Sequence, residues 1–247
     1  MTNSVTHSSN TEVFSPPSVH NLSCTPEHLA HPHPNVMSSI FLHLPRTRPL
    51  QVGFSDDPQC QFHAALCYRK LSPNVASHKG VVMDGGLPPL FKLSKAPFLE
   101  ARIEAAIALR DFAADPEYKL MFGEEGGVRV MIDITLEEDI RLQCLSMAGL
   151  RHLSLNDDMK VLIVEQDGLT PIFSRCTTTD AELQRQCIGV VANLTERVKN
   201  QSIMARHQLG FSSLVTLSSV EQDCVQEDCA RLCQHLFEHR EPGGDIS

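Results

Sequence analysis

The side chains best suited to bind a metal or to react are cysteines and histidines close to the C-terminus. They are Cys224, Cys229, Cys233, His235 and His239. Thiolates and imidazoles are the ligands that zinc prefers, and Cys229 and Cys233 lie four residues apart, on one side of a helix. The stretch lacks the compact C-x2-C pair of structural zinc sites, and both cysteines fall in apolar columns described below, where cysteine packs as a small hydrophobic side chain. We therefore expect no metal here. A metal- or redox-responsive protein is the alternative from another class of function.

Motifs for catalysis or cofactor binding are absent from the sequence. No glycine-rich stretch leads into the Lys-Ser or Lys-Thr pair of a phosphate-binding loop, and there is no G-x-S-x-G. The first ten residues lack the charged and apolar regions of a secretory signal. We therefore expect the nine cysteines to be reduced thiols of a cytoplasmic protein, with nuclear or cytoskeletal association left open. The sequence predicts a non-enzymatic protein with no cofactor.

Three arginines recur at a constant spacing. Arg69, Arg110 and Arg151 follow one another at intervals of 41 residues. On a chain whose net charge is −9, a row of guanidinium groups is suited to carboxylates, which it can bind through two parallel hydrogen bonds. The alternative is that these arginines pair with acidic neighbours such as Glu104 or Asp111 and form only a solvated face.

The same period runs through the glycines. Gly86, Gly127, Gly168 and Gly210 are separated by 41, 41 and 42 residues, and each precedes a short apolar stretch. A period of this length is typical of a helical solenoid, in which each unit packs on its neighbours alone.

Three further columns precede the glycines at the helical spacing i, i+4, i+7. The first column has small side chains: Ala64, Ala105, Ser146 and Cys187. The second column is apolar and contains Tyr68, Leu109, Leu150 and Val191. The third is also apolar and contains Leu71, Phe112, Leu153 and Leu194. A further step of 42 predicts a fifth copy at Cys229, Cys233 and Leu236. The columns indicate one buried stripe per unit.

Each unit then divides into three helices. Asp115-Pro116 and Asn156 have the residue types that begin a first helix. A short second helix follows each glycine and is expected to bury Leu90, Met131, Ile172 and Leu214. The long third helix is predicted to begin at the capping-box patterns Thr179…Glu182 and Ser219…Gln222.

At these positions the chain resembles the armadillo-repeat family. The stretches GGLPPLFKL and CIGVVANL match the family pattern, and RIEAAIALRDF matches it more loosely. The resemblance covers residues 59–239 and implies an all-α fold, a right-handed α-solenoid of four to five three-helix repeats. Residues 1–58, rich in Ser, Pro and His, are predicted to be a disordered tail, and residues 240–247 a flexible end. The tail contains an apolar island, 36–42, which is either a docking motif or a segment that packs on the first repeat.

The resemblance also implies that the third helices line a concave groove. At the family's tryptophan position this chain has Leu66, Ile107, Ala148 and Gly189, and at its asparagine position Lys70, Asp111, His152 and Asn193. Only Asn193 matches, which argues against the family's clamp for basic peptides. The predicted groove residues are Arg69, Lys70, Arg110, Asp111, Arg151, His152 and Asn193.

The expected function is therefore a protein-interaction module that binds an extended, acidic partner segment in this groove. A structural subunit embedded in a large assembly is the alternative. The net charge of −9 and pI near 5.7 argue against nucleic acid as a partner, and no apolar run is long enough for a membrane span. The sequence leaves the oligomeric state open.

Overall fold

The computed structural model describes residues 55–210, 213, 215–216 and 223–238. Twelve α-helices have defined bounds within these residues. They are α1 (Pro58–Leu71), α2 (Val75–Met83), α3 (Leu87–Leu93), α4 (Leu99–Ala114), α5 (Lys119–Glu124), α6 (Gly127–Thr135), α7 (Ile140–Leu153), α8 (Asp157–Glu165), α9 (Leu169–Cys176), α10 (Ala181–Thr195), α11 (Val198–Arg206) and α12 (Asp223–Glu238). The tail up to residue 54, its apolar island, the end at 240–247, Leu214 and the pattern Ser219…Gln222 lie outside the described residues.

The long helices stack in the order α1, α4, α7, α10, α12, each packed on the next. The short helices α3, α6 and α9 pack against the long helix of their own unit. Three complete units, α2–α4, α5–α7 and α8–α10, are thus flanked by α1 on one side and by α11 and α12 on the other. This arrangement confirms the predicted all-α solenoid.

The predicted columns form the core. Leu90, Met131 and Ile172 in the short helices are all 0% exposed, as are Phe112 and the other apolar members of its column in α7 and α10. Leu71 departs from the column because it lies in α1, at the end of the described stack, and is 37% exposed. Cys229 is buried in α12, as the fifth copy predicts, while the side chains of Cys233 and Leu236 lie outside the described set.

Two of the predicted helix starts have a clear outcome. Asn156 caps α8, since its side chain accepts hydrogen bonds from the backbone N–H groups of Asp158 and Met159 at 3.0 and 3.1 Å. The start at Thr179 is wrong by one residue: Asp180 caps α10 and accepts a hydrogen bond from Leu183 N at 2.8 Å. A carboxylate is the stronger acceptor for the free N–H groups of the first turn.

The predicted start at Asp115-Pro116 is also wrong. Asp115 is the C-cap of α4, and α5 begins only at Lys119. The carboxylate of Asp115 accepts a hydrogen bond from Glu117 N at 2.8 Å and contacts His78 Nδ1 at 2.6 Å. A buried bond to His78 of α2 therefore holds Asp115 at the junction between α4 and α5.

One side chain near the start of each long helix fixes the loop before it. The side chain donates a hydrogen bond to the carbonyl six residues earlier: Gln61 to Ser55 at 2.9 Å, Arg102 to Ala96 at 3.1 Å, Gln143 to Glu137 at 2.7 Å and Gln184 to Thr178 at 2.6 Å. These positions repeat every 41 residues. These loop carbonyls lie outside the helices and have no intrahelical N–H partner, so the side-chain hydrogen bonds satisfy them. The bonds thereby fix the orientation of the loop that leads into each long helix.

Candidate functional site

The seven predicted groove residues lie at the C-terminal ends of four successive long helices. Arg69 and Lys70 are in the last turn of α1, and Arg151 and His152 are in the last turn of α7. Arg110 and Asp111 occupy the same place in α4, and Asn193 in α10. Cations at helix C-termini are favoured by the partial negative charge of the free carbonyls. The surface formed by these helix ends is called the third-helix edge below.

Arg69 is paired with the neighbouring helix. Its Nε lies 2.8 Å from Oε2 of Glu104 on α4, and the two side chains are 49% and 21% exposed. Lys70, the next residue, is exposed on α1. For Arg69 the alternative of a solvated ion pair therefore holds.

Arg110 is paired within its own helix. Nε and Nη2 both donate to Oδ1 of Asp111, at 3.0 and 2.7 Å. The other carboxylate oxygen of Asp111 accepts a hydrogen bond from Ser72 Oγ at 2.7 Å. Asp111 thus joins α4 to the end of α1 and neutralises Arg110. The side chains of Asp111 and Arg110 are therefore both bonded to groups of this protein.

Arg151 differs from the other two arginines. Among the described residues, its guanidinium makes no hydrogen bond, and no carboxylate lies within 4.0 Å of it. The side chain crosses to α10 and lies on Gly189, where a Cβ atom would come within 2.5 Å of Nε. Arg151 therefore occupies space that a side chain at the family's tryptophan position would fill.

His152 lies among cations. It is half-buried, and its pKa is lowered by burial and then by the charges of Lys119, Arg110 and Arg151, with Asp111 acting in the opposite direction. The neutral imidazole is thus the favoured form at neutral pH. His152 offers hydrogen bonds to a ligand at this pH rather than a charge.

Asn193 is buried, with 3% of its surface exposed. Its Nδ2 donates to Ser154 Oγ at 2.9 Å, and its Oδ1 accepts from Arg231 Nη2 at 3.5 Å. In this structure its amide connects α7, α10 and α12 to one another and has little surface free for a partner.

Sequence reasoning missed Lys119, at the start of α5. The residue is only 7% exposed, yet it has no hydrogen-bond or ion-pair partner among the described residues. Burial lowers its pKa, and Asp115 partly offsets this at longer range. The signal that could have found it is the polar column His78, Lys119, Lys160 and Gln201, in which all four residues are buried.

The cysteine and histidine alternative gains no support from the described part of the chain. No three His, Cys, Asp or Glu side chains there are grouped closely enough to hold a metal ion. Burial raises the pKa of Cys67 to about 11 and, together with Asp180, that of Cys144 to about 11. The side chains of Cys224, Cys233, His235 and His239 lie outside the described set. None of the described helices has the length and apolar character that a membrane crossing requires.

Comparison with solved structures decides the fold family. A crystal structure of computationally designed armadillo repeat proteins for modular peptide recognition superposes with a TM-score of 0.71, covering 77% of this chain and 82% of that one at 16% identity. The chain has the armadillo-repeat fold. A designed armadillo repeat protein in complex with the peptide (KR)4 is similar at a TM-score of 0.68 and 17% identity, covering 78% and 82% of the two chains.

The sequence comparison is more distant. No protein-family model matches the chain. Vacuolar protein 8 of Schizosaccharomyces pombe is 24% identical over 150 residues, which is 58% of this chain. The match covers 27% of that relative's length, so the chain spans only about a quarter of the curated relative.

Proposed function

We propose that this armadillo solenoid is a non-enzymatic interaction module whose third-helix edge binds an extended acidic segment of a partner protein. The observation that carries the proposal is Arg151, a guanidinium on that edge with no acidic partner among the described residues. A carboxylate of a partner would provide the two acceptors that a guanidinium binds best. Arg69 can contribute as well, because its pair with Glu104 is half exposed.

The ligand expected at the third-helix edge has the opposite charge to the basic peptide bound by the designed protein. The peptide (KR)4 in that complex is cationic, whereas arginine recurs on this edge at positions 69, 110 and 151. Arg69 and Arg110 are paired with Glu104 and Asp111, so the charge available to a ligand is mainly that of Arg151. An available cation on a protein of net charge −9 attracts acidic ligands and repels basic ones, which favours selectivity and fast association.

The geometry sets the length of the ligand. Packed helices lie about 8–10 Å apart, so Arg69 and Arg151, two helices apart, are separated by roughly 16–20 Å. An extended chain advances about 3.4 Å per residue, and about six residues span that distance. Side chains at every second position of an extended segment lie on one face, so acidic residues at alternate positions, about six residues apart, would reach Arg69 and Arg151 together.

The test uses two fluorescent twelve-residue peptides in which glycine alternates with glutamate or with lysine. The full-length protein should bind the glutamate peptide and not the lysine peptide, with an affinity that falls as salt is raised. Reversing one charge against a ligand costs several kcal/mol when the site is desolvated. Arg151→Glu should therefore weaken binding by about tenfold or more, measured by fluorescence anisotropy.

The matched control is Arg206→Glu, the same charge change at an exposed residue of α11. It should bind within about twofold of wild type, because α11 is not a third helix. Thermal melting checks that both variants fold. Equal affinity of wild type and Arg151→Glu, or a preference for the lysine peptide, would contradict the proposal.

A further inference from the structure

Lys119 and Lys160 occupy the same position in successive repeats but have different surroundings. Lys160 is 4% exposed, and its ammonium donates to Glu196 at 2.6 Å and to Asp157 at 2.9 Å. One repeat earlier, 41 residues before those two carboxylates, the chain has Leu155 and Pro116. Lys119 is therefore buried in the same way without the carboxylates that neutralise Lys160.

An unpaired buried ammonium is costly. Removing a charge from water without a compensating partner is unfavourable, and a methionine or leucine of similar volume would avoid that cost. The fully buried polar side-chain atoms that lack a hydrogen bond, in the part of the chain that the structure describes, belong to Gln61, Arg102, Gln166 and Glu104, of which Glu104 is ion-paired with Arg69. Lys119 Nζ is not one of them, so the ammonium is not completely sealed from solvent.

The repeat register places Lys119 next to the third-helix edge. Lys160 reaches Glu196, the C-cap residue of α10. The equivalent residue for Lys119 is Leu155, directly after the C-cap of α7, so we place Lys119 beside the last turn of that helix, which contains Arg151 and His152. The charges of Lys119, Arg110 and Arg151 all act on His152, in agreement with this placement.

The carboxylates nearby are already engaged. Asp111 accepts from Arg110 and Ser72, and Asp115 accepts from Glu117 N and contacts His78 at 2.6 Å. Glu182, whose charge interacts with Arg151 at longer range, is bonded to Arg185. Lys119 and Arg151, which is in the last turn of α7, therefore have no carboxylate within 4.0 Å among the described residues. A single carboxylate would neutralise one of them.

We propose that Lys119 and Arg151 together bind a phosphate monoester, a phosphorylated side chain within the partner's acidic segment. A phosphoserine carries a charge of about −1.5 to −2 at pH 7 and three acceptor oxygens, which matches two unpaired cations. Arginine binds two of the oxygens through its planar fork, and lysine provides a point charge to the third. This inference rests on the proposed function and names the ligand chemistry of one position within it.

The experiment compares three twelve-residue peptides that differ only at one glutamate next to the middle of the glutamate–glycine sequence, which is kept or replaced by serine or phosphoserine. For the full-length protein we expect the phosphoserine peptide to bind about tenfold or more tightly than the glutamate peptide. Lys119→Met should remove this preference while the glutamate peptide still binds. The control Lys79→Met, at an exposed residue of α2, should keep the preference.

Folding and ligand source are tested in parallel. Lys119→Met should melt at the same temperature as wild type or higher, because it removes an unpaired buried charge, whereas Lys160→Met should melt lower. Lys119→Gln provides a second variant that retains polarity without charge. Inorganic phosphate alone should compete weakly. If it binds as tightly as the phosphopeptide, the ligand is a small phosphate compound and the peptide assignment is overturned.

The outcomes separate this inference from the proposed function. Equal binding of the phosphoserine and glutamate peptides, or a preference that survives in both Lys119 variants, would refute the phosphate site and leave acidic-segment binding intact. Failure of every acidic peptide to bind wild type would refute the proposed function itself.

Discussion

The guanidinium of Arg151 lies directly on the backbone of Gly189, one helix further along the stack. A Cβ atom on Gly189 would be 2.5 Å from Nε and 2.9 Å from Cζ of Arg151. Contacts this short are not possible, so any larger residue at 189 requires the arginine to move. Glycine at this position therefore sets where the unpaired cation of the third-helix edge is placed.

We predict that Gly189→Ala weakens binding of the glutamate peptide without lowering stability. The new methyl group displaces Arg151, while alanine is favoured over glycine inside a helix by about 0.5–1 kcal/mol. Anisotropy titration measures the first effect and urea unfolding the second. Affinity equal to that of wild type would mean that the position of Arg151 is unimportant for binding.

A double-mutant cycle provides the control for this prediction. In an Arg151→Ala background, Gly189→Ala should cause no further loss of affinity, because the two changes act on the same contact. Additive losses would instead indicate that Gly189 affects the ligand by another route, such as a shift of α10.

Stability should depend on position along the stack. Phe112 is 0% exposed and packs on His78 with ring centroids 4.5 Å apart. Phe112→Ala should lower the free energy of unfolding by about 3–5 kcal/mol, as expected for a large core side chain. Leu71 belongs to the same column but is 37% exposed, and Leu71→Ala should cost about 1 kcal/mol or less. Urea unfolding followed by circular dichroism measures both, and equal losses would show that the register is misplaced.

His152 should make stability depend on pH in the mildly acidic range. Its folded-state pKa lies below the ordinary value of 6.5 because of burial and the charges of Lys119, Arg110 and Arg151. Below 6.5 the unfolded chain binds more protons than the folded one, so this contribution is present above pH 6.5 and is lost as the pH falls through the folded pKa. Unfolding midpoints at pH 7.5 and 5.5 should differ less for His152→Gln than for wild type. The same difference in both would contradict this role.

Two thiols in the described part of the chain should be unreactive. The pKa of Cys67 is raised from 9.0 to about 11 by burial, and that of Cys144 from 9.0 to about 11 by burial and Asp180. A rise of two units lowers the thiolate fraction at neutral pH by about 100-fold. Peptide mass spectrometry after iodoacetamide treatment should find both labelled slowly in the folded protein and quickly in urea. Rapid labelling of either thiol in the folded protein would revive a redox role for it.

Much of the fold could be predicted from the sequence because a repeat presents the same physical requirement several times. Leu90, Met131 and Ile172 recur at one phase, and each is completely buried. Helix starts were less predictable, since several residues compete to cap the same N–H groups. Asp180 caps in place of Thr179 because its carboxylate binds Leu183 N, and Asp115 is held by His78 of α2, 37 residues earlier in the chain.

The sequence by itself determined the repeat, the helical stack and the line on which the three arginines lie, because these depend on spacing alone. Only the tertiary structure decided that these arginines differ: Arg69 meets Glu104 across two helices, Arg110 meets its neighbour Asp111, and Arg151 lies on Gly189. The surroundings of Lys119 could not be predicted either, because they depend on which residues approach it from the end of the long helix of its own unit. Ion pairing is decided by distances of a few ångströms between side chains on different helices, and a residue's position in a repeat does not specify those distances.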